Sequence, residues 1–555
     1  MPDRSGRITF RRWSMRPPSG RVVDPPQTIP RSLSMTATTD SATSTLLARD
    51  TNQALGIAEF AIRFMREGHG TPSEAVKDKT RQFFADAAVC GLSAIALGTN
   101  APLVFREEAA EYPKDDGVTV FGSNTPVCPE KAIVANCSAV REWDSNGTNF
   151  GYNPALGHTA GEFGHNDFYA VPVAAAQLAG QDGAAALRGM ILHDEIRGRL
   201  AEVFSLKSYR IDHVVHGAIA SAAVYGAMMG ASAEQIESAI GMTVAHFIPW
   251  RAIRAGKQLS DSKGASAAIS TEVAVLAMMR SMKGFLGPRD IFRNPEAIWR
   301  QFEPTDGDAP FDLVLSHSGD DFAVMGMHFK LGLYEHQSAG ALQGMIDLVS
   351  ANPDLLENPD LVKTIRIVAY EPAFGIIGDP AKRDPKTRQS ADHSMVYIVS
   401  TLLRKAIDAA RDAGSGVIAD GNDAMWKQLI LTPYDFDEQA VFHPETRALM
   451  EKIEFAHGGK AYDDNYPDGI PPSVVIETTD GRSLDSGLVM YPSGHARNTT
   501  CDLEGILANK AEVLGKLAMD DPGAVIDRFR RVDDLAAAEL ASMNDFEIKD
   551  HGRFE

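Results

Sequence analysis

Cysteine is scarce in this chain of 555 residues: only Cys90, Cys128, Cys137 and Cys501 occur, and no two form a Cys-x-x-Cys pair. So few thiols suit a reducing compartment, where stability comes from the core and not from cross-links. Their spacing also speaks against an iron–sulfur cluster, whose ligands come partly as close pairs. Positive charge is short as well, with 54 Lys and Arg against 74 Asp and Glu and a net charge of −20. No general nucleic-acid or anionic-membrane surface is expected, because both need a basic face. No run reaches about 18 consecutive apolar residues, so no transmembrane helix is expected. A Walker loop, a Gly-x-Gly-x-x-Gly after a strand, His-Glu-x-x-His and a Gly-x-Ser-x-Gly elbow are all missing. Nucleotide-binding, zinc-protease and α/β-hydrolase readings therefore lack support.

What is present is ordinary globular material, 44% apolar and 23% charged, in a chain long enough for two domains. Residues 1–34 stand apart, with seven Arg, no Lys, two acids and six Pro. They read either as a transit peptide or as an over-long start upstream of Met35, and residues 1–50 as an extension outside the folded body. The expected location is cytoplasmic, or the mitochondrial matrix if this segment is a transit peptide. From about Thr51 the text is helical: Ala58, Phe60, Ala61, Phe64 and Met65 recur at helical spacing, and Val76 to Leu97 and Lys131 to Trp143 follow. Small-residue helices continue to about Met282 and make an all-α segment over 51–320. Lys363 to Tyr370 alternates like a half-buried strand, and Ser473 to Met490 reads as two strands joined at Asp480-Gly481, within an α+β unit over 321–492. Residues 493–545 return to helix. The fold class is mainly α with an inserted α+β domain, and no internal repeat is visible.

Several runs could carry chemistry. In Arg141-Glu142-Trp143-Asp144-Ser145-Asn146-Gly147-Thr148, Asp144 and Thr148 are four apart, a spacing that can aim both at one ligand. A solvated helix end is the plainer reading of that run alone. The Gly-rich stretch after it carries His158 and His165, each following a Gly, and long loops of this kind are commonly functional. The run from His246 to Ala268 gathers Arg251, Arg254, Lys257 and Lys263 against the single acid Asp261. Cations so placed suit a ligand with several carboxylates, which Arg grips through paired hydrogen bonds and Lys meets as a point charge. A third set, Lys207 to His213, contains Arg210 and His213. The second domain adds His328-Phe329-Lys330, Tyr334-Glu335-His336-Gln337-Ser338 and Thr387 to Ser394, and Tyr491 to Arg497 marks the return. His213 and His216 could share a helical face, but no third metal ligand is evident near them, and no metal site is expected.

Together these runs resemble the MmgE/PrpD family, which includes 2-methylcitrate dehydratase and cis-aconitate decarboxylase. The matching pieces are REWDSNGT, GHND, RIDHVVHGAIASAA, RAGKQLSDSKGAS, HFKLGLYEHQSA, TRQSADHSMVY and YPSGH, spread over about residues 54–515. The resemblance implies a large all-α domain built from both chain ends with an inserted α+β lid, a homodimer, a polycarboxylate substrate and no cofactor, iron–sulfur cluster included. It implies Asp144, Thr148, His165, Lys257 and Lys263 as catalytic, with Arg210, His213, Arg254 and His336 binding substrate. His158 rivals His165, and Lys257 rivals Lys263 as the essential lysine. The expected reaction removes water from a hydroxy tricarboxylate, and decarboxylation or epimerisation of a related acid is the alternative. The Pro-Ser of the family's histidine motif is missing here, and the loop before His165 is longer than usual. Both departures bear on the substrate.

Overall fold

Several long helices in this chain begin where a short polar side chain can satisfy the first free N–H groups. Asn52 accepts from Leu55 N at 3.1 Å to open helix Gln53–Arg66, and Ser73, Asp182 and Ser232 open Glu74–Ala96, Gly183–Val203 and Ala233–His246 in the same way. The computed structural model describes residues 38–254 and 258–554, so the expectations for residues 1–34 and for Lys257 lie outside the described residues. It is 53% helix and 11% strand, mainly α as the periodicity implies. Among the described residues, no single helix is long and apolar enough to cross a membrane.

In helix Gln53–Arg66 the buried residues are the expected stripe, with Ala58, Phe60, Ala61 and Phe64 fully covered. Helix Glu74–Ala96 is buried on nearly every side from Phe83 to Ala94 and lies at the centre of the packing. Pro129–Arg141 crosses it at Gly91, where an added Cβ would stand 3.2 Å from Val140 N. Only glycine lets the two axes come this close. Helices Val214–Met228 and Ser262–Met282 are lined with Ala, Gly and Ser, and pack against Pro129–Arg141, Gly183–Val203 and Ala233–His246.

The second half carries a four-stranded sheet in the order Ile453–His457, Val362–Ala369, Ser473–Thr478, Ser483–Asp485, its first pair parallel and the others antiparallel. Ile365 and Ile367 are fully buried in the expected strand, and Gly481, at φ +91°, makes the expected hairpin turn. Helices Ala339–Ala351 and Met395–Ala413 cover this region. The segment 41–50 departs from the expectation of an extension outside the folded body. Ser44–Leu47 pairs with Thr38–Asp40 and with Leu313–Ser316, and Leu47 is fully buried. Its partner strand is distant in sequence, which local polarity could not disclose.

The last helices come back to the first. Leu503–Ala518 and Gly523–Arg530 both pack on Glu74–Ala96, and Arg81 forms an ion pair with Asp533. The buried Lys510 ammonium lies 2.7 Å from Asp86 and donates to the carbonyls of Ser145 at 2.7 Å and Lys330 at 2.8 Å. Removing one partner of a buried pair strands the other's charge. Lys510→Met is therefore expected to cost about 3–5 kcal/mol. Adding Asp86→Leu should recover part of that loss, and denaturant melts of the single and double variants measure both.

Candidate active site

The connection after helix Pro129–Arg141 is folded back by a short antiparallel ladder, Thr148–Phe150 against Phe163–His165. Thr148 lies directly opposite His165 in this register, and the Thr148 hydroxyl donates to Gly164 O at 2.9 Å. Backbone bonds between Thr148 and His328, at 3.0 and 2.7 Å, tie the ladder to the second half of the chain. Asp144 sits just before it at φ +51°, a left-handed backbone that a non-glycine residue adopts rarely and that turns its side chain inward.

These residues open on a small cavity of about 50 Å³, lined by Arg141, Asp144, Thr148, Phe150, Phe163, His165, His213, Arg251, Arg254, Glu335, Gln337, Ile376, Ile377, Lys382 and His393. Four of those fifteen side chains are cationic, in a protein of strongly negative net charge. Asp212 holds Arg254 in an ion pair. Among the described residues, Arg251 and Lys382 have no carboxylate within 4.0 Å, which leaves them open to an anionic ligand.

Asp144 is the hub. Its Oδ1 takes ion pairs from both Arg141 and Lys330, and its Oδ2 faces His393 Nδ1 at 3.1 Å and Lys263 Nζ at 3.8 Å. Burial would raise the pKa of this carboxyl, but Arg141, Lys330, His393 and Lys263 outweigh burial and hold it well below the usual range. Lys263 is itself held by Asp392 at 2.6 Å and lies 3.2 Å from His393 Nδ1, while burial pulls its pKa down. Asp144, Asp392 and His393 place donor atoms within 4.8 Å of one another, a spacing that could hold a cation. Arg141, Lys330 and Lys263 already occupy the two carboxylates, three cations against two anions.

The imidazoles are kept neutral. Burial, then Arg141 and Lys330, hold His165 well below its ordinary pKa. Burial does the same to His213, despite Asp212 beside it, and pushes His393 down to about 3. His165 Nε2 lies 3.4 Å from Arg141 Nη2, its Nδ1 has no partner among the described residues, and its ring packs 5.2 Å from that of His213.

Asp144, Thr148, His165, His213 and Arg254 thus come together on one wall, and Lys263 stands directly behind Asp144. Arg210 and His336 do not reach the cavity. Arg210 has φ +61° after the short helix Leu206–Tyr209, its side chain is exposed, and only its carbonyl takes part, accepting from Arg251 N. His336 lies one layer back, its ring 5.7 Å from Phe150 and stacked 5.2 Å from His328, which in turn stacks on His495. His158 is bound to Glu202 at 2.9 Å and is not among the cavity residues. Lys382 was not singled out from the sequence, and Arg141, Lys330, Glu335 and His393 stood within runs named there but were given no role. Arg141 carried a signal, its three-residue spacing from Asp144. The others approach only through tertiary packing.

With this geometry in view, comparison with known proteins bears on the lineage. The family model described as the MmgE/PrpD N-terminal domain matches residues 57–308. Over those residues the chain is similar to the MmgE/PrpD family. Its relatives include a probable 2-methylcitrate dehydratase of Saccharomyces cerevisiae, 24% identical over 450 residues, covering 77% of this chain and 80% of that protein. The mitochondrial 2-methylcitrate dehydratase of Yarrowia lipolytica is 27% identical over 315 residues, 56% of this chain and 55% of its own length. The 2-methylcitrate dehydratase of Escherichia coli K12 is 23% identical over 317 residues, 56% and 59% of the two chains. The chain therefore spans somewhat more than half the length of the last two. The matched domain contains Arg141, Asp144, Thr148, His165, Arg254 and Lys263, whereas Lys330, Glu335, Lys382 and His393 lie beyond it.

Lys330→Met should raise the pKa of Asp144 by removing one of its cations. A depressed carboxylate stabilises the fold above its unfolded pKa of about 3.9, and that stability is lost as pH falls through its lower folded value. The variant's deficit against the unsubstituted protein is expected to be largest near neutral pH and to narrow below about pH 4. Parallel denaturant melts at neutral and acidic pH measure it, and a deficit that widens with acidity contradicts the ion-pair account.

Proposed function

We propose that this chain is a carbon–oxygen lyase of the 2-methylcitrate dehydratase type, which removes water from a hydroxy tricarboxylate without an iron–sulfur cluster. The observation that carries the reading is the cationic cavity built around the ionised Asp144, with neutral His165 on the same wall. The names of the relatives support the class of reaction.

Dehydration takes a C–H proton from the carbon next to a carboxylate and expels hydroxide from its neighbour. The electron pair of the C–H bond becomes the new double bond. Negative charge grows on the carboxylate meanwhile, and fixed cations in a water-poor site hold it at low reorganisation cost. Arg141, Arg254 and Arg251 are placed for this, and Lys382 meets a further carboxylate from the opposite wall. His165, neutral and with Nδ1 unpartnered, serves as the base, and the charge of a bound polyanion raises its affinity for a proton. Asp144 stays ionised and orients Arg141, Lys330 and Lys263, while Thr148 hydrogen-bonds the substrate. Phe150, Phe163, Ile376 and Ile377 offer the apolar patch that an alkyl substituent needs. The segment 321–492 acts as a lid in this reading, since Ile376, Ile377 and Lys382 come from it, and the protein works as a homodimer.

An NMR time course on 2-methylcitrate and on cis-aconitate tests the proposal. Loss of water should give an alkene tricarboxylate from the first, whereas itaconate from the second would install decarboxylation instead. His165→Ala is expected to lower kcat about 100-fold or more. Retention of more than about a tenth of the rate rules out the base role.

A further inference from the structure

A leaving hydroxide needs a proton, and most of the cavity wall cannot give one near neutrality. His165, His213 and His393 are neutral there, and Asp144 is held ionised by its cations. Arg251 and Arg254 are the anion-holding side, and Lys382, which burial pulls down to about 8, has no side-chain hydrogen bond among the described residues to aim its proton. The carboxyl on the wall that stands apart from the Asp144 ion pairs is Glu335.

Its geometry suits a donor. Glu335 precedes the short helix His336–Ser338, and its Oε2 accepts the N–H of Gln337 at 2.8 Å, which fixes the carboxyl in place. Its backbone N–H donates to the carbonyl of Asp392 at 3.0 Å, next to His393 and Lys263. Oε1 has no hydrogen-bond partner among the described residues and is not closed off from its surroundings, and the residue lines the cavity. The groups that face this carboxyl are Asp144 and Lys330 from below, Lys382 from the lid side, and the buried phenols of Tyr370 and Tyr466, whose rings stack at 4.6 Å.

We propose that Glu335 is a catalytic residue, the acid that protonates the departing hydroxyl. The inference rests on the dehydration reading. The Oε1–H proton passes to the hydroxyl oxygen as the C–O bond breaks, water leaves with the C–O electron pair, and the C–H pair closes the double bond. The proton taken by His165 returns to solvent, and the Glu335 carboxylate takes one up for the next cycle. Burial and then the charge of Asp144 push this carboxyl up to about 7, against the pull of Lys330, the Gln337 N–H and Lys382. A polycarboxylate in the cavity adds negative charge beside it and drives it further toward the protonated form. Substrate thereby loads its own acid.

Glu335→Gln tests this, because the amide oxygen can still accept from Gln337 N while the transferable proton is gone. The variant should fold with an unchanged melting temperature, bind substrate with KM within about threefold, and lose about 100-fold or more in kcat. In the unsubstituted enzyme kcat/KM should fall as pH rises through about 7, and that limb should vanish in the variant. Glu335→Asp should restore part of the rate. Independently of turnover, carbon-13 NMR of the free protein should show one carboxyl with a midpoint near 7 that is absent from Glu335→Gln. A variant within about tenfold of the unsubstituted rate, a limb that persists in it, or no such carboxyl overturns the assignment. If the unsubstituted protein yields no alkene product, the dehydration reading is what fails. If both proteins yield it equally, Glu335 is what fails.

Discussion

One carboxylate organises the site. Asp144 is buried, and a buried charge is tolerated only where partners replace the water it has lost. Arg141 arrives from its own helix, Lys263 from the first turn of Ser262–Met282, Lys330 from the connection that follows the helical half, and His393 from the start of Met395–Ala413. Each would be costly to bury alone. Together they form a mutually paired group, so charged side chains can stand at the bottom of a cavity without unfolding it. The excess positive charge on the walls then remains for a ligand.

The same group bears on the titration state of everything nearby. Burial, and then the cations that hold Asp144 ionised, make protonated imidazole unfavourable at His165, while burial, and then Asp144 itself, makes ionised carboxyl unfavourable at Glu335. Two kinds of group are thereby moved in opposite directions by neighbours a few ångströms apart. Such divergence separates a proton acceptor from a proton donor within one small space.

How much of this was legible in the residues depended on distance along the chain. Asp144, Thr148 and His165 fall within one short stretch, and the register of the small ladder merely sets them face to face. The strand at Val362–Ala369, the Asp480-Gly481 turn and the small-residue helices were equally open to periodicity and turn chemistry. The run around Lys330 was visible as a candidate, but its pairing with Asp144 was not, because the two stand 186 positions apart. Arg210 and His336 show the converse error. Each sits in a run rich in polar residues, but a left-handed turn sends one outward and ring stacking draws the other behind Phe150. Nothing local distinguishes a histidine on a wall from a histidine one layer back.

Lys510 has a consequence for biosynthesis. Its ammonium clasps the carbonyls of Ser145 and Lys330, the two stretches that carry Asp144 and its cation, and it comes from the closing helix Leu503–Ala518. A growing polypeptide emerges from its N-terminus onward. The nascent chain therefore leaves those two stretches untied until helix Leu503–Ala518 has emerged, and only then can they be clamped together.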